Sequence, residues 1–185
     1  MDRAGQELIA RHRIETARLI LEPVGPEHAE GLFQATTASR DELLPWMPWA
    51  REPSLQSDVE QSTRSAHEWA VGSEFHFTLI ERESGAVLGI AGLNAGGEGV
   101  FELHYWMRSD RTRRGLTTEA GRALVGWAKA ELRAKKLTLW AGRDNTASRR
   151  VAEKLGFVHV GPLNWEPEGG LGVFPAESYE LTLRP

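Results

Sequence analysis

Cysteine is absent from all 185 residues. That removes disulfides, a thiol nucleophile and thiolate metal ligation together. Long apolar runs are missing as well, and none approaches the ~20 residues that a membrane span needs. The opening stretch, MDRAGQELIARHR, has no apolar core of the secretory kind. These absences predict a cytoplasmic protein without a membrane partner. No excess of one charge sign is present: 22 Lys and Arg face 26 Asp and Glu, for a net charge of −4. Nucleic-acid binding by the whole surface is therefore disfavoured. The six histidines are scattered without a ligand-spaced pair, so no metal is expected. The phosphate-loop lysine signature and the Gly-x-Ser-x-Gly nucleophile turn are both missing. Tyrosine is scarce, with Tyr105 and Tyr179 the two copies.

Tryptophan, by contrast, occurs seven times. Trp46 and Trp49 lie three apart in LPWMPWA, each preceded nearby by a proline. Large aromatics on such an irregular segment suit the wall of a substrate groove, or else core beneath a loop. Trp69, Trp127 and Trp140 sit on regular elements and read as packing.

The length suits one domain with a real core over residues 16–185, behind a mixed, charged tail over residues 1–15. Strand patterns cover Leu19–Pro23, Phe75–Glu81, Val87–Leu93, Phe101–Met107, Leu137–Ala141, Phe157–Gly161 and Ser178–Leu183. Helical patterns begin at Pro26, at Val59 behind a Ser57-Asp58 cap, at Thr118 and at Asn145. The last of these ends at Gly156, a left-handed stop. Leu43–Pro53 holds three prolines and reads as a bent segment. Asn164–Ala176 reads as a Gly/Pro-rich loop. The order β-α-α-β-β-β-α-β-α-β-β predicts an α/β (α+β) architecture, a mixed sheet with helices on both faces.

The chemistry concentrates in Phe101–Ala120, FELHYWMRSDRTRRGLTTEA. A strand leads into a loop with four arginines in seven residues, then Gly115, then a helix start. A helix N-terminus carries unpaired N–H groups and partial positive charge. With a glycine allowing close backbone approach, this makes a seat for phosphate or pyrophosphate. The other reading of the charge run is a solvated connection. Along the strand, alternation puts Glu102, His104 and Trp106 on one face and Leu103, Tyr105 and Met107 on the other.

The stretch resembles the GNAT acetyltransferase superfamily, in its RimJ/RimL-like branch. LPWMPWA is similar to that branch's double-Trp segment, ELHYWM to its fourth strand, and NTASRRVAEKLGF (Asn145–Phe157) to its second cofactor-contacting helix. The similarity runs from about Arg18 to Leu163. The loop reads Thr112-Arg-Arg-Gly115-Leu-Thr117, departing at its first and last positions from the family's Gln/Arg-x-x-Gly-x-Gly/Ala.

The resemblance implies a GNAT fold with a mixed, mostly antiparallel, twisted sheet of about seven strands. It implies acetyl transfer from acetyl-CoA, as co-substrate and without metal, to a primary amine that is a protein N-terminus or a small molecule. Succinyl or another acyl group is an alternative donor, and a non-catalytic CoA- or nucleotide-binding module an alternative function. A homodimer is compatible with the family. Cofactor contacts fall on Trp106, Met107, Arg108, Arg113, Arg114, Gly115, Leu116, Thr117, Thr118, Asn145 and Ser148, with the Met107 N–H on the thioester carbonyl. Glu102 takes the amine proton or orients the substrate, with His104 and His76 as rival bases. Ala152 stands where many relatives carry the tyrosine that protonates the leaving thiolate. Ser148 matches a serine of the RimL-like pattern and is the catalytic alternative. Trp46, Trp49 and His104 are assigned to the acceptor.

Overall fold

The computed structural model describes residues 11–166 and 173–184. Strands β1 (Ile14–Glu15), β2 (Leu19–Pro23), β3 (Glu74–Glu81), β4 (Val87–Ala95), β5 (Val100–Met107), β6 (Lys136–Gly142), β7 (Val158–Trp165) and β8 (Phe174–Thr182) form one sheet. Their spatial order is β1-β2-β3-β4-β5-β6-β8-β7. Helices α1 (Ala29–Thr37), α2 (Arg40–Leu43), α3 (Leu55–Val71), α4 (Leu116–Glu131) and α5 (Thr146–Leu155) complete the described chain with short 3₁₀ turns.

Alternation along β5 divides the interior in two. Leu103 and Met107 join Leu116, Leu124 and Trp127 of α4 and Leu137 and Leu139 of β6 in the larger core. On the opposite face Trp106 joins Ile90, Leu32, Ala35 and Leu43 beneath α1. Helices thus cover both faces of the sheet.

Every neighbouring pair of strands is antiparallel except β5 and β6. Those two run parallel and pair only through Val100–Lys136, Phe101–Leu137 and Glu102–Thr138. Beyond that point β5 stays laddered to β4 up to Met107, and β6 to β8 up to Gly142. Each strand keeps its outer partner while the inner edges part. A cleft of ≈ 1210 Å³ occupies the opening.

A bulge on the neighbouring strand shapes this edge. The β3–β4 register slips between Leu79 and Ile80, leaving Leu88 as the extra residue. Gly89 there has φ +147, and a Cβ on it would stand 2.3 Å from the Trp106 carbonyl oxygen. Only glycine accepts that close approach of β4 to β5.

Several boundaries differ from the sequence expectation. Ile14–Glu15, read as the end of the tail, pairs with β2 as an eighth strand. Residues 1–10 of that tail lie outside the described residues. Helix α3 starts at Leu55 after Ser54, not behind Ser57-Asp58. Asp58 falls instead in the first turn, where partial burial raises its carboxyl to about 6. Helix α4 starts two residues early, at Leu116, because Gly115 itself adopts the left-handed cap conformation. The loop read over 164–176 is narrower, since Asn164–Pro175 and Trp165–Phe174 pair across the β7–β8 hairpin. Pro162 is tolerated because β7 is an edge strand. Residues 167–172 of that loop are outside the described residues.

Candidate active site

The parting of β5 and β6 leaves backbone groups facing the gap. The Arg108 N–H donates to the Leu88 carbonyl at 2.7 Å, so its partner lies on β4. Antiparallel pairing alternates, so the amides of Trp106 and His104 also turn to β4. Those of Met107 and Tyr105 turn the other way, into the cleft. Arg108 is not part of the cleft wall; its guanidinium makes two 3.0 Å hydrogen bonds to Asp110.

Next comes the loop. Arg113 (φ 60) and Gly115 (φ 78) are both left-handed, flanking Arg114 at the start of α4. Among the described residues, no hydrogen-bond acceptor serves the N–H groups of Arg113 through Thr118. Arg18 donates from Nη1 to the Arg114 carbonyl at 2.8 Å. Across a trans peptide the following N–H, that of Gly115, points the opposite way. Glu119 fixes Arg18 in turn, accepting from its N–H (2.8 Å) and Nε (2.7 Å), and from the Thr16 hydroxyl (2.6 Å). The result is a concave array of free donors at a helix N-terminus, suited to a diphosphate. Arg113, Gly115, Leu116, Thr117 and Thr118 line the cleft. Arg114 does not, because its side chain pairs with Glu81 at 3.1 Å. The Thr117 hydroxyl lies 3.5 Å from the Met107 sulfur, tying the helix start to β5.

Across the gap, Asn145 caps α5 by accepting from the Ser148 N–H at 3.0 Å. The Tyr105 hydroxyl lies 3.0 Å from the Ser148 hydroxyl and 3.2 Å from the Ser148 carbonyl, and its one proton serves one of the two. Burial pushes the Tyr105 phenol up to about 12. Tyr105 thus stays protonated at neutral pH and is a donor to Ser148.

Where β5 and β6 still pair, Glu102 accepts from the Trp140 indole N–H at 3.0 Å. Burial raises its carboxyl above the usual range, and the indole hydrogen bond opposes that rise. His104 lines the same cleft, but burial and neighbouring His76 push it down to about 3. Its Nε2 is buried without a partner. His76 packs edge-on to His104 at 4.8 Å, bonds to Asn94 at 3.2 Å and does not line the cleft. Burial lowers His76 too, against the pull of Glu74. Both imidazoles are therefore poor proton acceptors.

Trp46 lies in the wall against Gly142, where a Cβ would come 2.9 Å from its ring. Trp49 is 54% exposed and packs edge-on against Trp106 outside the cleft. Trp106 borders the cleft with its side chain sunk in the smaller core. Trp140, read from sequence as packing, lies in the cleft and stacks on Trp165 at 4.4 Å. Sequence reasoning also missed Tyr105, Arg18 and Glu119. Strand parity does put Tyr105 on the α5 side, but no sequence signal links Arg18 to Glu119, 101 residues away.

A family model for the acetyltransferase (GNAT) domain matches residues 18–158. The chain belongs to the GNAT acetyltransferase family. This GNAT domain is 27% identical over 151 residues to YdaF of Bacillus subtilis (strain 168), named as a candidate ribosomal N-acetyltransferase. That match covers 74% of this chain and 75% of YdaF. A second B. subtilis relative, the uncharacterised N-acetyltransferase YjdG, is 30% identical over 60 residues, 32% of this chain. The chain spans about a third of YjdG's length (36%). Among solved structures, RimL, a ribosomal L7/L12 alpha-N-protein acetyltransferase in complex with coenzyme A, has a TM-score of 0.84 at 16% identity. It covers 93% of this chain and 98% of RimL. The microcin C7 self-immunity acetyltransferase MccE, in complex with acetyl-CoA and AMP, gives 0.82 at 16% identity, covering 91% and 94%. The eight-stranded sheet of this GNAT domain is therefore the RimL-like GNAT fold, one strand larger than the sequence expectation.

Acetyl-CoA is the co-substrate that the family's chemistry requires. No cluster of metal-ligating side chains occurs among the described residues. No helix among them is long and apolar enough to cross a membrane.

Proposed function

We propose that this GNAT enzyme transfers acetyl from acetyl-CoA directly to a primary amine inside the β5–β6 cleft. One observation carries the reading: inward-facing amides of β5 lead straight to the donor array at Gly115. The diphosphate sits on the N–H groups of Arg113 to Thr118, with Arg113 beside it. The pantetheine arm follows the free edge of β5, with Asn145 on the facing side. The deprotonated amine attacks the thioester carbon; the C–N bond forms and the C–S bond breaks. Glu102 receives the amine proton, directly or through water.

Strand geometry distinguishes the two inward amides. At ~3.3 Å per residue, Tyr105 is about 10 Å from Glu102 and Met107 about 16 Å. An amine held by Glu102 is closer to a carbonyl bound by the Tyr105 N–H, so that amide fits the developing oxyanion. The Met107 N–H, nearer Gly115, fits the pantetheine arm instead of the thioester assigned to it from sequence. Ser148 then hydrogen-bonds the leaving sulfur, its hydroxyl oriented by Tyr105. Arg108, Arg114 and Trp49 have other partners and take no direct part.

The names of RimL and YdaF support a protein N-terminus as one acceptor class. A cytoplasmic site of action and homodimeric assembly accompany this reading as family expectations. Free-thiol release from acetyl-CoA across an amine panel tests it. Turnover with at least one primary amine is expected; binding of acetyl-CoA without any amine-dependent thiol release would leave a binding module instead.

A further inference from the structure

The β6 side of the cleft is unusually aromatic. Trp140 and Trp165 stack with planes 28° apart. Phe174 leans on Trp165 at 5.7 Å. Trp46 closes in over Gly142. All four are half-buried and line the cleft, whereas Trp69 and Trp127 are sunk in the core. Partly exposed rings converging in a concave site are what a flat apolar group needs for cover. Trp140 adds a second feature. The same indole whose face joins the stack gives its N–H to Glu102. The aromatic platform and the carboxylate are thus locked together as one recognition unit. An ammonium suits that carboxylate, and a cation beside indole faces gains further attraction.

We infer that the preferred acceptor is a primary amine joined by a short tether to a flat aromatic ring, with the amine at Glu102 and the ring on the Trp140–Trp165 platform. This rests on the acetyl-transfer reading above. A flexible aliphatic amine would leave the platform uncovered, and an anionic acceptor would face the Glu102 carboxylate. Whether the ring is a simple aryl group or a nucleobase is a difference of source, not of chemistry.

The test is kcat/KM for acetylation of tryptamine, phenethylamine and 5′-amino-5′-deoxyadenosine against ethanolamine, putrescine and a short peptide with an N-terminal serine. Ring-bearing amines are expected to lead by tenfold or more, and the aryl and nucleoside arms tell the two sources apart. Trp165→Ala should cut that lead at least tenfold by raising the KM for the amine, with the Kd for acetyl-CoA unchanged. Phe174→Ala serves as the second variant if Trp165→Ala does not fold. Trp140→Phe should keep much of the ring preference while shifting the acid limb of the pH profile, because it removes the hydrogen bond to Glu102. Efficient turnover without ring preference, or a lead unaffected by Trp165→Ala and Phe174→Ala, overturns this inference alone. No thiol release with any amine overturns the acetyl-transfer reading with it.

Discussion

Glu102 shows how one side chain's surroundings set its use. Burial raises its carboxyl against the pull of the Trp140 hydrogen bond, which suits it to the proposed role of a base closer to neutrality than a solvated glutamate. Its working form is the ionised one, lost as pH falls through a value above the ordinary ~4.3. Corrected for the free-amine fraction, kcat/KM should therefore drop on acidification, with a limb above the usual carboxylate range. Glu102→Gln is expected to erase that limb and lower kcat about 10²-fold. His104→Ala should leave the limb in place, because an imidazole held near 3 is already neutral. A limb that survives in Glu102→Gln would remove Glu102 as the base. At this scale the sequence was legible in part: alternation alone places Glu102 and His104 together. The Trp140–Glu102 bond was not, since it crosses two strands whose register is fixed only by tertiary pairing.

Two elements hold the cleft in shape. The first is the start of α4, clamped by Arg18 and Glu119. Burial pushes the Glu119 carboxyl up, but the bonds from Thr16 and Arg18 outweigh it and hold it below its usual range. A carboxylate held low when folded stabilises the fold above its unfolded pKa, and that contribution fades as pH falls through the folded value. Wild type should lose stability through this acid window, and Glu119→Gln should show a shallower loss in urea titrations across pH. The same variant should weaken acetyl-CoA binding roughly tenfold by calorimetry, since a freed Arg18 no longer orients the Gly115 peptide. The second element is the β4 bulge. Gly89→Ala forces a Cβ against the Trp106 carbonyl and is expected to cost about 2 kcal/mol or more in denaturant unfolding. Periodicity located nearly all the elements, yet it missed where they begin. Leu116 opens α4 because Gly115 turns left-handed, and β1 exists because β2 offers it an edge. Neither fact is written in the residues of the element itself.

For the molecule as a whole, the order of strands and longer helices was readable, the short α2 aside, and the sheet that results is the expected one with an added edge strand. No local pattern encodes the separation of β5 from β6, because it arises from where the outer ladders hold. In the proposed binding mode acetyl-CoA contacts both halves of the sheet. At 100 times its Kd it should stabilise the fold by about 2.7 kcal/mol. Thermal unfolding should move upward with acetyl-CoA or CoA and stay put with ATP; an equal shift with ATP would argue for a general nucleotide site.

Because three residue pairs alone join β5 to β6, the co-substrate does more than fill a hole. In the binding mode proposed above, its pantetheine arm takes the place of a ninth strand and bridges two half-sheets that otherwise meet only at one end. Each catalytic cycle then inserts and withdraws a piece of secondary structure. Amide protons of Tyr105 and Met107 should exchange freely in the empty enzyme and slow down whenever that surrogate strand is in place.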